Sequence, residues 1–451
     1  MKRQLLMTII LILALVAQSF FTTGLTRTTQ AAVALPQYVV VDLGTLGGSM
    51  SFAQAINNYG QIVGGSSLPG DPVDALGNPI VHAFLYSNGL LTDLGTLGGD
   101  SSYANAINDA GQVAGVSFLP GNPMTYGDFT RHGFLYSGGA KTDLGTLGGP
   151  FGSAALGINN AGQVVGDADL PNGSLRGFLY SNGVMQQIPM PAADYSVAFA
   201  INNYGLVVGG MRLASNFDYH AFTFDSRTQQ LTDLGTLGGR FCQAVSVNDA
   251  GWIAGESSLP GPPDAESLHA FVYQGSMVDL GTLPGDTYSS AAHINAAGQV
   301  VGWSVPADFN TYRGFLWSNG VMQDLNALIP ANSGWQISFA SGINDFGQIV
   351  GVGVRNGQSH AVLLIAPAFS IGVLADLVQS FDLPQGIKNS LLMKLQNAIG
   401  SANAGDLADA CNQLQAFVNQ VSAQAGNQIP ATQANQLLTV ANQLRASLGC
   451  R

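Results

Sequence analysis

The sequence predicts an all-β propeller of seven four-stranded blades, its last blade completed by an N-terminal strand, followed by a small α-helical domain. Three observations predict it. First, the phrase Ile-Asn-x-x-Gly recurs, with Asn at 57, 108, 159, 202, 248, 295 and 344 and spacings of 51, 51, 43, 46, 47 and 49 (the copy at 248 begins with Val). Second, two further phrases keep step with it. One opens at His82, His132, Arg176, His220, His269, Arg313 and His360 and reads His-Ala-Phe in its fullest form. The other, Asp-Leu-Gly-Thr-Leu, opens at Asp42, Asp93, Asp143, Asp233 and Asp279, degrades at Gln187-Ile188 and shortens to Asp324-Leu325-Asn326. Third, this grammar stops after Pro367. Repeats of roughly 20–50 residues mark solenoids, propellers or arrays, and the content of the unit chooses among them.

Each unit reads as four short strands. Strand a is the run before Asn, residues 51–56 in the first unit, and Asn-x-x-Gly closes a hairpin in which Gly supplies the left-handed backbone that a side chain resists. Strand b is 61–64, strand c is 82–86, and strand d ends in Asp93-Leu94-Gly95 after the turn Ser87-Asn88-Gly89. Helical spacing is absent, and four antiparallel strands per unit make a propeller blade. Seven a-b-c sets end at 360–364 with no strand d behind the last, while a lone strand d, residues 38–43, stands at the start. That phase offset predicts a ring over residues 35–366, closed by pairing the first strand into the final blade. Such closure removes the exposed edges that invite aggregation.

Composition excludes several classes. Charged residues are 9% of the chain, hydrophobic residues 46%, and there are 58 glycines, which disfavours coiled coils and disordered chains. The net charge of −12 leaves no basic face for nucleic acid. Residues 33–366 hold 8 Lys/Arg and 23 Asp/Glu, a net of −15, whereas residues 367–451 hold 4 of each. The propeller therefore carries the field that would steer a cationic partner.

At the N-terminus, Lys2 and Arg3 precede an apolar run over 5–21 and the small-residue site Ala32-Val33-Ala34. Residues 1–34 read as a signal peptide, with an uncleaved anchor as the other reading because the run nears the length of a spanning helix. Cleavage yields a secreted, extracellular protein without a membrane span.

After Pro367 apolar residues recur at helical intervals: Ile371, Leu374, Leu377 and Val378, then Ile387, Leu391, Leu392, Leu395 and Ile399. Two more amphipathic stretches lie near 406–425 and 432–448, so residues 367–451 predict about four helices. Cys411 falls early in the third and Cys450 just beyond the fourth. In an oxidising compartment their disulfide closes a loop of about 40 residues and contributes about 3–4 kcal/mol. Cys242 is left over and reads as a buried small hydrophobe.

The phrases His-Ala-Phe, Asp-Leu-Gly-Thr-Leu-Gly-Gly and Ile-Asn-x-x-Gly-Gln-Val-Val-Gly resemble the extracellular repeat named HAF, over about three quarters of the chain. The resemblance implies an extracellular, propeller-like protein and implies nothing about catalysis. Arg176, Arg313 and the strand near Gln187 depart from its pattern. Residues 414–421 together with Leu448-Gly449-Cys450 resemble the C-terminal module called FIMAH.

Five of the six histidines open or nearly open strand c, and a shared metal would require them to converge, which equivalent positions in rotated blades do only at the inner rim. Each His, or Arg176 or Arg313 in its place, is expected to tie strand c to a neighbouring backbone or carboxylate. His293 stands outside the pattern. The repeated Asp (42, 93, 143, 233, 279, 324) could ring a calcium channel. Asp ahead of a glycine turn more often accepts nearby backbone N–H groups, which is the role expected here. No Gly-x-Ser-x-Gly elbow, His-Glu-x-x-His, Walker loop or zinc-spaced Cys pair occurs, so no catalytic residue, metal or cofactor is assigned.

Individuality lies in the b–c connections, expected on the same face as the d–a turns. Their candidate ligand-binding residues are Tyr126, Asp128, Phe217, Tyr219, Asp264, Glu266, Trp303, Asp308, Phe309 and Tyr312. An acidic, aromatic rim suits a carbohydrate or a cationic peptide or protein at the cell surface, with plain solvated loops as the bland reading. The expectation is a secreted, non-catalytic binding or interaction protein. Its alternatives are an extracellular carbohydrate-active hydrolase or lyase built on loop carboxylates, or a purely structural exoprotein.

Overall fold

The computed structural model describes residues 38–74, 77–87, 89–120, 130–262 and 267–450, so the signal peptide read over 1–34 lies outside the described residues. Seven four-stranded antiparallel sheets follow one another around a ring, and four helices come after them. In blade 1 strands a to d are Ser51–Ile56, Ile62–Ser67, Val81–Ser87 and Leu90–Asp93. Blades 2 to 6 repeat the pattern over 102–143, 153–187, 193–235, 242–279 and 288–324. Blade 7 supplies Gln336–Ile343, Ile349–Arg355 and Gln358–Ile365, and its strand d is Val39–Asp42. The register runs from Val39 opposite Ile365 to Asp42 opposite Val362, so the first strand does close the last blade.

Both faces of a blade pack against neighbours, which explains why strand b reads as continuous rather than alternating. Ile62–Ser67, Val113–Phe118, Val164–Asp169 and Ile253–Ser258 are buried throughout. On strand c the phenylalanines Phe84, Phe134, Phe178, Phe222, Phe271 and Phe315 are fully buried, with Val362 in that place in blade 7. Strand a bulges in every blade, as between Ala53 and Ala55, and pushes its carbonyl towards strand b. A Cβ on Gly64 or Gly351 would stand 1.9 Å from the carbonyl oxygen of Phe52 or Phe339, so strand b must carry glycine there.

Hydrogen bonds repeat the ring. Asn57 Oδ1 accepts Tyr59 N and Gln61 N inside its own turn at 3.0 and 2.9 Å. Its Nδ2 donates to the Asn108 carbonyl of the next blade at 2.9 Å. Asn108, Asn159, Asn202, Asn248 and Asn295 do the same in order, and Asn344 returns the bond to the Asn57 carbonyl at 3.2 Å. Seven buried amides thus form one closed circle. Between blades, Ser102, Ser153, Ser196, Ser289 and Ser51 accept a strand-c backbone N–H at 2.8–3.0 Å. Cys242 occupies this place in blade 5 and accepts the Ala221 N–H, while burial pushes its thiol up to about 12. Its burial matches the sequence expectation.

The helices are α1 (Pro367–Ser380), α2 (Gln385–Asn403), α3 (Leu407–Gln424) and α4 (Ala431–Ser447). Their core centres on Ile371, Leu391, Leu414, Phe417 and Leu437. Asp406 caps α3 by accepting Asp409 N at 2.9 Å. Cys411 and Cys450 form the expected disulfide. Ser370 Oγ donates to the Phe346 carbonyl at 2.9 Å, fastening α1 to the a–b turn of blade 7. Among the described residues no helix is long and apolar enough to cross a membrane.

Candidate functional site

Strand direction sorts the connections into two faces. The a–b turns with their Asn circle line one mouth of the central channel. The b–c loops and d–a turns leave at the other end of the strands, as the sequence predicted. The strand-c histidines brace that second face. His82, His132, His220, His269 and His360 each place Nδ1 2.8–2.9 Å from Asp93, Asp143, Asp233, Asp279 and Asp42. Those aspartates also accept the N–H of the glycine two residues on, at 2.6–2.9 Å. Each repeated Asp therefore joins strand c to the turn. Arg313 reaches Asp286 and Asp324 at 2.8 and 3.2 Å in blade 6. In blade 3, where Gln187 replaces Asp, Arg176 donates instead to the carbonyls of Leu175 and Asp194. The two departures from the repeat go together.

The predicted rim residues fall into two aromatic clusters. In blade 4 Tyr219 meets Tyr195 at 5.9 Å and Phe241 at 5.7 Å between ring centroids. The Arg212 guanidinium lies 5.7 Å from the Phe217 ring and 6.0 Å from Tyr195, and pairs with Asp194 through two bonds of 2.8 and 3.0 Å. That pairing holds the Asp194 carboxyl below the usual range. Arg240 pairs with Asp218 at 2.7 Å. In blade 6 Trp303 meets Tyr312 at 5.4 Å, and Tyr312 meets Phe339 of blade 7 at 4.9 Å. Beside them Phe309 stacks on Tyr288 at 4.9 Å, and Asp308 accepts Asn310 N at 3.1 Å. Phe217 and Phe309 sit at φ of 63° and 56°, yet remain 63% and 50% exposed. Tyr126, Asp128, Asp264 and Glu266 lie outside the described residues.

Sequence reasoning missed the partners of these rings. Tyr195, Phe241 and Tyr288 occupy the position just ahead of the interblade Ser or Cys in three successive blades, a signal visible once strand a is aligned. It also missed two carboxylates on strand b. Burial pushes Asp167 up to about 6, with nearby Asp169 adding to the rise and Arg131 opposing it. Burial likewise raises Glu256, whose Oε1 accepts Gln243 Nε2 at 2.6 Å. They belong to blades 3 and 5, on separate strands b. No group of three or more His, Cys, Asp or Glu able to hold a metal ion occurs among the described residues.

Comparison with known proteins adds the following. Residues 371–446 match the FIMAH domain family. No curated protein matches the chain. The β-propeller domain of the trilobed protease from Pyrococcus furiosus is similar over 70% of this chain and 95% of its own, at 9% identity and a TM-score of 0.46. TolB from Acinetobacter baumannii is similar over 71% of this chain, at 14% identity and a TM-score of 0.32. Trypanosoma rangeli sialidase is similar over 77% of this chain, at 10% identity and a TM-score of 0.39. The similarity spans 64% of each of these last two. Likenesses of this strength carry no inference about what the chain does.

Proposed function

We propose that this chain is an exported, non-catalytic binding protein that holds a carbohydrate on its b–c loop face. The observation that carries the reading is the pair Phe217 and Phe309. A phenylalanine in the left-handed region costs about 1–3 kcal/mol, and both loops accept that cost while keeping a ring at least half exposed, Phe217 beside Arg212 and Phe309 against Tyr288. A sugar presents an apolar C–H face to such a ring and hydroxyls to its edge. Asp218, Arg240, Arg212 with Asp194, and Asp308 stand beside the rings as hydrogen-bonding groups. Export is supported by the Cys411–Cys450 disulfide, which belongs to oxidising compartments, and by the resemblance of the repeats to HAF.

The test is a glycan array probed with the full chain, followed by titration of the best glycan. Phe217→Ala with Phe309→Ala, and separately Trp303→Ala with Tyr312→Ala, are expected to weaken binding at least tenfold. Unchanged affinity in both double variants, or no glycan bound, overturns the reading.

A further inference from the structure

The face opposite the b–c loops carries a second site. Between the helical module and blades 7 and 1 lies a cavity of about 330 Å³, walled by Leu363 and Ile365 of the propeller and by Val440 and Leu444 of α4. Tyr59 and Phe346, from the a–b turns of blades 1 and 7, complete it. The repeat shows that these rings are additions. At the same turn position four blades carry alanine (Ala110, Ala161, Ala250 and Ala297), and an aromatic stands only at Tyr59, Tyr204 and Phe346. Two of those three border this chamber, and Tyr59 remains 39% exposed despite it.

The residue before the ring supplies the other half. Asn58 lines the apolar chamber and also the polar channel mouth, a hollow of about 180 Å³. It sits between two carboxylates: Asn58 Nδ2 donates to Asp345 Oδ2 at 2.9 Å, and Asn58 N to Asp109 Oδ1 at 3.0 Å. Asp249 is the third carboxylate of this mouth, and no Lys or Arg lines it among the described residues. His293 lines it too, and burial holds its imidazole below the ordinary value, so it adds no positive charge at neutral pH. An apolar chamber with two aromatic rings thus lies beside an acidic mouth, the two sharing Asn58, and each ring follows directly on a residue of that mouth, Tyr59 on Asn58 and Phe346 on Asp345. Aromatic faces and carboxylates together are the chemistry that recognises an ammonium group.

We propose that this face binds an alkylammonium amphiphile, its hydrocarbon chain in the chamber under α4 and its cationic head beside Tyr59, Phe346 and Asp345. The site is independent of the carbohydrate reading, being built from the opposite ends of the strands.

Calorimetric titration of the full chain with decyltrimethylammonium below its micelle concentration tests it, with decyl sulfate and tetramethylammonium as the other arms. Saturable one-to-one binding is expected, at least tenfold tighter than for either comparison compound. Leu444→Trp, which fills the chamber, should abolish it. Asp345→Asn should weaken the ammonium compound at least threefold without weakening the sulfate. That second variant retains the fold because Asn58, Asn160 and Asn203 hold the equivalent position in three other blades. Equal binding of decyl sulfate, equal binding of tetramethylammonium, absence of saturation, or wild-type affinity in Asp345→Asn each overturns the proposal.

Discussion

The two mouths of the propeller are made by the same seven repeats and solve different problems. At the a–b mouth every turn has the same hydrogen-bonding frame, and the buried asparagines bond to one another around the whole circle. At the b–c mouth the connections differ in length and sequence, and side chains meet only between particular blades. What all blades share carries stability; departures such as Phe217, Phe309 and Tyr59 point outward to solvent or into a cavity.

The largest effect expected from this contrast is at the circle. Asn344→Ala removes bonds to the Asn57 carbonyl, Gln348 Oε1, Phe346 N and Gln348 N together. Leaving these buried groups without partners should cost about 3–5 kcal/mol in denaturant unfolding. A smaller effect with the opposite sign is expected inside the b–c half. Because burial raises Asp167 to about 6, the folded chain keeps a proton that the unfolded chain releases. The contribution is therefore present below the ordinary carboxylate pKa and is lost as pH rises through about 6. Asp167→Asn should raise stability by about 3 kcal/mol at pH 7.5 and change little near pH 3.5. Melting curves at the two pH values check the sign. Smallest of all, Phe217→Ala should change stability by less than about 0.5 kcal/mol, since its ring is largely in solvent. If Phe217→Ala costs as much as Asn344→Ala, the division between the two mouths fails.

Much of this architecture was legible because strand phase survives in one dimension. The missing strand d after residue 364 and the extra one at 38–43 could be counted, and the pairing of Val39–Asp42 with Gln358–Ile365 is what the count required. The separation of His82 from Asp93 and of His132 from Asp143 was equally visible, 11 residues each. That the two meet depends on the c–d hairpin register, with Phe84 opposite Asp93, which the spacing alone does not give. The Asn circle was not legible at all. Its asparagines read as turn residues, and their second role appears only when neighbouring blades are placed side by side. The aromatic partners are hidden for a different reason: Tyr195, Phe241 and Tyr288 stand at the entry to strand a, outside the variable b–c loops.

Everything at both mouths depends on the circle being shut by the first strand. Hydrogen exchange of the native full chain reads this directly. The backbone amides of Val39–Asp42 that face Gln358–Ile365 should be protected to the same free energy as the amides of that strand, opening only with the whole propeller. Exchange of those inward-facing Val39–Asp42 amides at the rate of a frayed terminus, while Gln358–Ile365 stays protected, would contradict the account.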